Sequence, residues 1–376
     1  MNKTIKLYDT NAYDTAFHAT ILECNKVNDE YDVILDQTLF FPTSGGQLCD
    51  KGTLNNIPVN HVEIEGEVIH HYLNQPLEGK VEGIIDFNHR YDMMQNHSGE
   101  HLFSGIVHQM YGYDNVGFHL GKEEMTVDFN GYLDSKQLEE IEMKVNQVIQ
   151  DNIEIQCFYV DDASQYNYRS KKEIDGDLRL CVIEGVDTCA CCAPHVHSTI
   201  EVRLFKILKS MKYKEGVRVY LACGTRAICD YMMKHNQDVE ISQMLSLPPN
   251  ELKGGVERLI NQVNELKKEL SDSKKELLDL KLSQISHTHS LVLFENGLDT
   301  STLRDYALKL FDLCDDYILV LNGLDNDYQF VLLDHQDVIS RLNMIKQSLN
   351  LTGGGKPPMV QGKIKNTREE IENVMK

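Results

Sequence analysis

The sequence predicts an α+β protein built in several parts, and three patterns carry that expectation. About 90 residues at the start alternate apolar and polar side chains as half-buried strands do. From Tyr91 the apolar rhythm becomes helical, and later a heptad-patterned segment precedes a second α/β stretch. A chain of 376 residues is also too long for one ordinary core. The expected parts are a β-rich, barrel-like N-terminal domain over 1–90 and an α+β domain over 91–225. A helical, coiled-coil linker over 226–287 and a small α/β domain with a glycine-rich loop over 288–376 complete the set.

The elements follow from local composition. YDVILDQTLFF is rich in strand formers, and PTSGGQLCDKG supplies turn residues. VNHVEIEGEVIHHYL and KVEGIIDFN alternate as strands. A helix is expected from Tyr91 to about Tyr111, then strand in GFHLGKEEMTVDF and an amphipathic helix in SKQLEEIEMKVNQVIQDN. LRLCVIEG and TIEVRLFKILKSMKY read as further strands around a cysteine cluster. LPPN breaks the chain and offers Asn250 as a cap. Beyond it one heptad position holds Val256, Val263, Leu270 and Leu277, and another Leu252, Leu259, Leu266, Ser273 and Leu280. Such a helix wants an apolar partner, from its own chain or from a second copy. The remainder reads strand SLVLFENG, helix TLRDYALKLFDL, strands YILVLNG and DYQFVLLD, helix HQDVISRLNMIKQSL and a glycine-rich loop, TGGGKPPMVQGKIKN.

Composition narrows the function classes. Apolar residues make up 41% and mean hydropathy is −0.36, as in soluble globular chains. No run is long and apolar enough for a membrane span, and MNKTIKLYDTNAYDT lacks an apolar signal core, so a cytoplasmic protein is expected. A formal charge of −21 excludes loose, charge-driven adhesion to nucleic acid, though not a local basic patch. Of ten cysteines, four fall in CVIEGVDTCACC, which in an unsecreted chain favours metal binding or reactive thiols over disulfides.

MMQNHSGEHLFSGIV places His97 and His101 four apart on a helix, with Cβ atoms about 5–6 Å from each other, so both imidazoles can reach one ion. Helical histidine pairs are common without metal, but DTCACCAPHVHSTIEV offers a second half. Cys191 and His195, spaced Cys-x3-His around Pro194, complete a tetrahedron suited to zinc, with Cys189 as the alternative thiolate. Cys192 and His197 then belong to the surroundings. A closed four-ligand site can be structural rather than catalytic. The same residues spell His-x-x-Glu-His, the inverted zincin pattern, with Glu100 as general base of a metallopeptidase; the nearby thiols count against it, since that class uses a carboxylate ligand.

Two stretches carry a family resemblance. DFNHRYDMMQNHSGEHLFSGI and CCAPHVHSTIEVRLFKI resemble the two metal-binding motifs of the alanyl-tRNA editing domain, found within alanyl-tRNA synthetase and in free-standing editing proteins. TLFFPTSGGQLCDKG and VGFHLGKEEMTVDF resemble that family's flanking β segments. GGGKPPMVQG resembles the glycine-rich motif of the synthetase C-terminal domain, so the likeness covers nearly the whole chain. It differs in CCAPH, where the family has Cys-Gly-Gly-Thr-His, and in STIEV, where it has Thr-Gly-Glu-Ile. No adenylate-forming region precedes the editing part in this sequence, which resembles the free-standing proteins more than the synthetase.

The resemblance implies one Zn2+ per chain on His97, His101, Cys191 and His195, and a hydrolase that deacylates Ser-tRNA(Ala), with Gly-tRNA(Ala) as a further substrate. Gln47 and Thr126 are the candidate contacts to the seryl group; the plainer roles are a turn for Gln47 and strand packing for Thr126. Glu100 is a candidate base or a supporting residue. Lys206, Lys209 and Lys212, with Lys214 and Arg218 nearby, and Lys356, Lys363 and Lys365 are candidate phosphate contacts, or solvated surface. The resemblance also implies a tRNA(Ala) partner and a homodimer through the coiled coil and C-terminal domain. A metallopeptidase, or a non-catalytic tRNA-binding protein with structural zinc, is the alternative.

Overall fold

The computed structural model describes residues 3–122, 124–170 and 177–375. It is a mixed α+β structure of two compact units, 1–240 and 241–376.

The first unit begins with strands β1 (Ile5–Lys6), β2 (Ala16–Val27), β3 (Glu30–Leu35), β4 (Gln37–Thr38), β5 (Gly52–Leu54), β6 (Ile57–Glu65), β7 (Val68–Leu73) and β8 (Lys80–Ile85). Six of them pair in the order β2-β3-β7-β6-β5-β8, and β8 pairs back to β2, so the ring closes on itself. Alternation makes this possible: Val81, Gly83 and Ile85 of β8 point inward while Lys80, Glu82 and Ile84 face water. The interior is filled by Val33, Leu35, Phe40, Leu54, Ile69 and Leu73 among others.

Helix α1 (Phe87–Tyr111) leaves the ring directly. It starts four residues before Tyr91 because the Asp86 carboxylate caps it, accepting the His89 N–H at 3.2 Å. A buried ion pair anchors the same end: Arg90 Nε donates to Asp50 Oδ1 at 2.8 Å, and Nη1 to the Ala12 carbonyl at 2.9 Å. Every residue of α1 from 93 to 107 is buried, so the helix is covered on all sides rather than on one stripe.

Around α1 lie β9 (Asn115–Leu120), β10 (Met125–Phe129), α2 (Ser135–Asp151), β11 (Ile155–Val160), β12 (Leu178–Ile183), β13 (Asp187–Ala190), β14 (Phe205–Tyr213), β15 (Gly216–Cys223) and the start of α3 (Gly224–Leu245). They form a sheet β14-β15-β10-β9 and a sheet β11-β12-β13. Sequence alone suggested strand from Thr199; residues Thr199–Val202 instead make a 3-10 turn, because the Thr199 hydroxyl donates to the Val148 carbonyl at 2.8 Å and Arg203 adopts φ +64°. The segment after β13 runs along the seam of the two cores: Ala193 packs with the barrel interior, Val196 with the α1 core, and half-buried Cys191 against both.

The second unit holds α4 (Leu252–Ser283), β16 (Leu291–Glu295), α5 (Thr300–Phe311), β17 (Tyr317–Leu324), β18 (Asp327–Asp334), α6 (Val338–Ser348), β19 (Leu351–Lys356), β20 (Met359–Ile364) and α7 (Arg368–Met375). The sheet order is β16-β17-β18-β20-β19. Leu303, Tyr306 and Leu310 of α5 pack on one face, Leu342 and Ile345 of α6 on the other. The glycine run expected as a loop is strand β19: Gly353 lies opposite Gly362, where a Cβ on Gly353 would come within 2.7 Å of the Gly362 Cα. Heptad residues Val256, Leu259, Val263, Leu266, Leu270, Leu277 and Leu280 of α4 are exposed.

Candidate metal centre

On the buried helix α1, His97 and His101 stack with ring centroids 5.5 Å apart. Cys191 is the first residue past β13, and Pro194 turns the chain so that His195 comes back toward it. The Cys191 Sγ then lies 3.6 Å from His97 Nε2 and 3.3 Å from His195 Nε2. One donor atom from each of His97, His101, Cys191 and His195 lies within 4.8 Å of the other three.

A polar neighbour meets the Nδ1 atom of each imidazole. Gln47 Oε1 is 2.7 Å from His97 Nδ1, Asp187 Oδ2 is 2.9 Å from His101 Nδ1, and Ser98 Oγ is 3.0 Å from His195 Nδ1. Arg169 grips Asp187 with two hydrogen bonds of 2.8 Å each. Such contacts on Nδ1 set the tautomer that presents Nε2 to an ion. Burial alone would raise the Asp187 carboxyl; hydrogen bonds from His101 and Arg169 outweigh it and hold the group below the usual carboxylate range. Burial, with His101 and His97 close by, pushes the His195 imidazole well below its usual value, so it stands as a neutral ligand. Burial also pushes the Cys191 thiol well above its usual value. A divalent cation among these donors reverses that preference and stabilises the thiolate. Three imidazoles and a half-buried thiol fit a metal ion, and the donor set is compatible with zinc.

The ligand segment is held by a residue that sequence reasoning did not single out. Arg179 Nη1 donates to the carbonyls of Cys191 at 3.1 Å and Ala193 at 2.9 Å, while the Cys191 N–H donates to the Arg179 carbonyl at 3.0 Å. Asp187, Ser98 and Arg169 were also missed. Only Asp187 carried a signal, an acidic residue four before Cys191.

The other candidates fall in different places. Cys189 is buried and faces Cys181 across the β12–β13 pair, outside the four-donor group. Cys192 is exposed, with Sγ 3.8 Å from Ser44 Oγ, and the His197 ring stacks on Tyr13 at 4.1 Å. Gln47 is 1% exposed and sits behind His97 instead of lining the adjoining cavity. It is placed by the turn 44–47, which docks on β9: Leu120 N–H donates to the Gly46 carbonyl at 2.7 Å. Gly46 has φ +87°, and a Cβ there would meet the Phe118 carbonyl oxygen at 2.4 Å, so that turn admits only glycine. Thr126 pairs between His119 and Tyr220 and does not line the cavity.

That cavity, about 530 Å³, is walled by His97, Glu100, His101, Phe118, Cys191 and the Gly45–Gly46 turn, among others. Glu100 is 2% exposed and accepts hydrogen bonds from the Ser104 hydroxyl at 2.6 Å and from the Asn115 amide. Lys206, Lys209 and Lys212 lie exposed on β14; Lys206 meets Glu142 at 2.5 Å and Lys209 meets Glu124 at 3.7 Å. In the second unit Lys356 and Lys363 are exposed on β19 and β20.

The family model for the threonyl and alanyl tRNA synthetase second additional domain matches residues 178–220, the span from β12 through the ligand segment to β15. The chain is 31% identical over 247 residues to Alanyl-tRNA editing protein Aarsd1-A of Xenopus laevis, covering 63% of this chain and 60% of that one. It is 25% identical over 398 residues to Alanyl-tRNA editing protein AlaX-L of Pyrococcus horikoshii, 98% of this chain and 96% of that one. It is 28% identical over 409 residues to Alanine--tRNA ligase of Pyrococcus abyssi, spanning all of this chain and 44% of the ligase. The chain thus spans about 60% of the length of the Xenopus relative and nearly all of the Pyrococcus horikoshii one. Across these spans it is similar to the alanyl-tRNA editing proteins and to the matching part of the ligase.

Proposed function

We propose that this chain is a trans-editing hydrolase that cleaves the ester of tRNA(Ala) mischarged with serine, with Gly-tRNA(Ala) as a second substrate. One observation carries the reading: four donors converge beside a cavity of about 530 Å³, a volume suited to a small acyl group. The need for the reaction is energetic. A small amino-acid pocket rejects an analogue bearing one extra hydroxyl by only about 10²-fold, so a second hydrolytic site restores accuracy.

In this reading His97, His101, Cys191 and His195 hold one Zn2+ per chain. When bound, the ion supplies Lewis acidity and local positive charge. Gln47, Asp187 and Ser98 fix the imidazole orientations, and Arg179 holds the ligand segment. Glu100 lines the cavity with its carboxyl held by the Ser104 hydroxyl and the Asn115 amide. The exposed lysines of β14 and of β19–β20 are the phosphate contacts, α4 joins two copies through its heptad seam, and the setting is the cytoplasm. The division into parts at about 90, 225 and 287 belongs to the same proposal.

Two other readings carry specific observations. Four protein donors leave no vacant corner of a tetrahedron, which favours a structural ion in a tRNA-binding protein. A metallopeptidase would use Glu100 as base, but Cys191 and His195 beside the two histidines favour the editing reading. Purified protein incubated with Ser-tRNA(Ala), Gly-tRNA(Ala) and Ala-tRNA(Ala), with and without a chelator, separates them. Chelator-sensitive release of serine supports editing. Binding without hydrolysis supports the structural reading, and peptide cleavage alone supports the peptidase.

A further inference from the structure

Two thiols lie beside the four-donor group without belonging to it. Cys157 on β11 and Cys181 on β12 are direct partners across an antiparallel pair, so their side chains leave the sheet on the same face. The two sulfurs and one ring nitrogen of His195 lie within 4.8 Å of one another. Donors at that spacing close on a single ion with small side-chain movements. Cys181 is fully buried, whereas Cys157 is half-buried on the edge strand β11, so an ion reaches the pair from the Cys157 side. A hydrogen bond from Cys181, helped by the Arg179 guanidinium, outweighs burial and lowers the Cys157 thiol.

The chemistry of this set differs from that of the first. Three imidazoles and one sulfur suit zinc, a borderline ion. Two sulfurs and one imidazole favour a softer cation, of the class of Cd2+. With both thiols ionised, a divalent cation among them carries no net charge, which suits a buried position. His195 belongs to both sets.

We propose that Cys157, Cys181 and His195 form a second, overlapping position for a thiophilic divalent cation softer than zinc, and that an ion there takes His195 from the four-donor set. The proposal rests on the reading of His97, His101, Cys191 and His195 as zinc ligands. Zinc prefers that larger set, because it meets four donors there and three here. A softer cation gains a second sulfur by settling on the thiol pair, and the thiol protons pass to water. Zinc is then left with His97, His101 and Cys191, its affinity falls, and it is released. Soft metal ions thus strip the candidate metal centre through two thiols that lie outside it.

X-ray absorption at the cadmium edge tests the proposal on the reduced, full-length chain carrying one equivalent of Cd2+, with a competing chelator to clear isolated exposed thiols. Two sulfur neighbours are expected in the wild type and in Cys191→Ser, and one in Cys157→Ser or Cys181→Ser. In the zinc-loaded chain Cd2+ releases zinc, read with a chromophoric indicator, and substituting both Cys157 and Cys181 by serine raises the Cd2+ concentration needed by about tenfold. A single cadmium–sulfur bond in the wild type, lost in Cys191→Ser, overturns the second position and leaves the first standing; that count needs no variant of the thiol pair to fold. Two sulfurs that survive the loss of both Cys157 and Cys181 overturn it as well. A wild-type chain that holds neither zinc nor cadmium against the chelator overturns the four-donor reading and the proposal with it.

Discussion

Gln47 Oε1 lies 2.7 Å from His97 Nδ1, so a turn between barrel strands, 50 residues away in sequence, orients an imidazole on the buried helix α1. The Gln47 Nε2 has no hydrogen-bond partner of its own, which marks the histidine contact as the reason for the buried amide. Gln47→Ala leaves a buried Nδ1–H without an acceptor. Zinc affinity, measured by competition with a chromophoric chelator, falls about 10–100-fold in that variant. Unchanged affinity would remove Gln47 from the site.

Asp187 joins His101 to Arg169 and is 7% exposed. Asp187→Asn removes the charge that balances Arg169 and weakens the hold on His101. Breaking a buried pair in this way costs about 3–5 kcal/mol. Urea denaturation should register that loss, and zinc affinity should fall with it. A variant as stable as the parent would contradict the buried-pair account.

Gly46 can be tested without touching a candidate ligand. Gly46→Ala drives a Cβ toward the Phe118 carbonyl at a backbone of φ +87°, at a cost of about 1–3 kcal/mol. Lower thermal stability and weaker zinc binding are expected together, because the same turn carries Gln47. Loss of neither shows that the turn is free to move.

His71 gives the barrel a pH dependence. It is fully buried between Thr38 and Val33, and burial, opposed by the Val33 carbonyl, pushes its imidazole down to about 4. The unfolded chain titrates this group near 6.5. Between those values the unfolded state binds the extra proton, so this contribution to stability is full above about 6.5 and declines as pH falls. At pH 5 the loss is about 2 kcal/mol from this residue, measured as the difference in pH slope between wild type and His71→Gln. Parallel slopes would refute it.

The α4 seam makes a separate prediction. Leu270 is 56% exposed, in heptad register with Val256 and Val263, and Leu266 is 63% exposed, in register with Leu252 and Leu259. Sedimentation of the wild-type chain gives a dimer, and Leu266→Lys with Leu270→Lys gives a monomer. A monomeric wild type rules out the seam as a contact between copies.

Much of the site was legible because two of its halves are local. His97 and His101 share a helical face at any tertiary arrangement, and Cys191 and His195 share one proline-stiffened turn. What surrounds them was not legible, because Ser98, Asp187 and Arg179 are ordinary residue types whose role appears only when β12 and β13 return beside α1. Gln47 stands in the sequence as a candidate acyl contact or a turn residue, and its contact with the back of His97 is visible only once the turn docks on β9. Alternation made the barrel strands readable, whereas the Gly353–Gly355 run was read as a loop, since glycine carries no side-chain period and only the partner strand β20 shows it to be extended. The helical start at 87 instead of 91 turned on one capping carboxylate, Asp86.

X-ray absorption at the zinc edge of the stoichiometrically loaded protein tests the central claim most directly. One sulfur at about 2.3 Å and three nitrogens at about 2.0–2.1 Å are predicted, with the sulfur lost in Cys191→Ser. Two or more sulfur neighbours, a sulfur that survives Cys191→Ser, or the absence of a tightly held metal would contradict it.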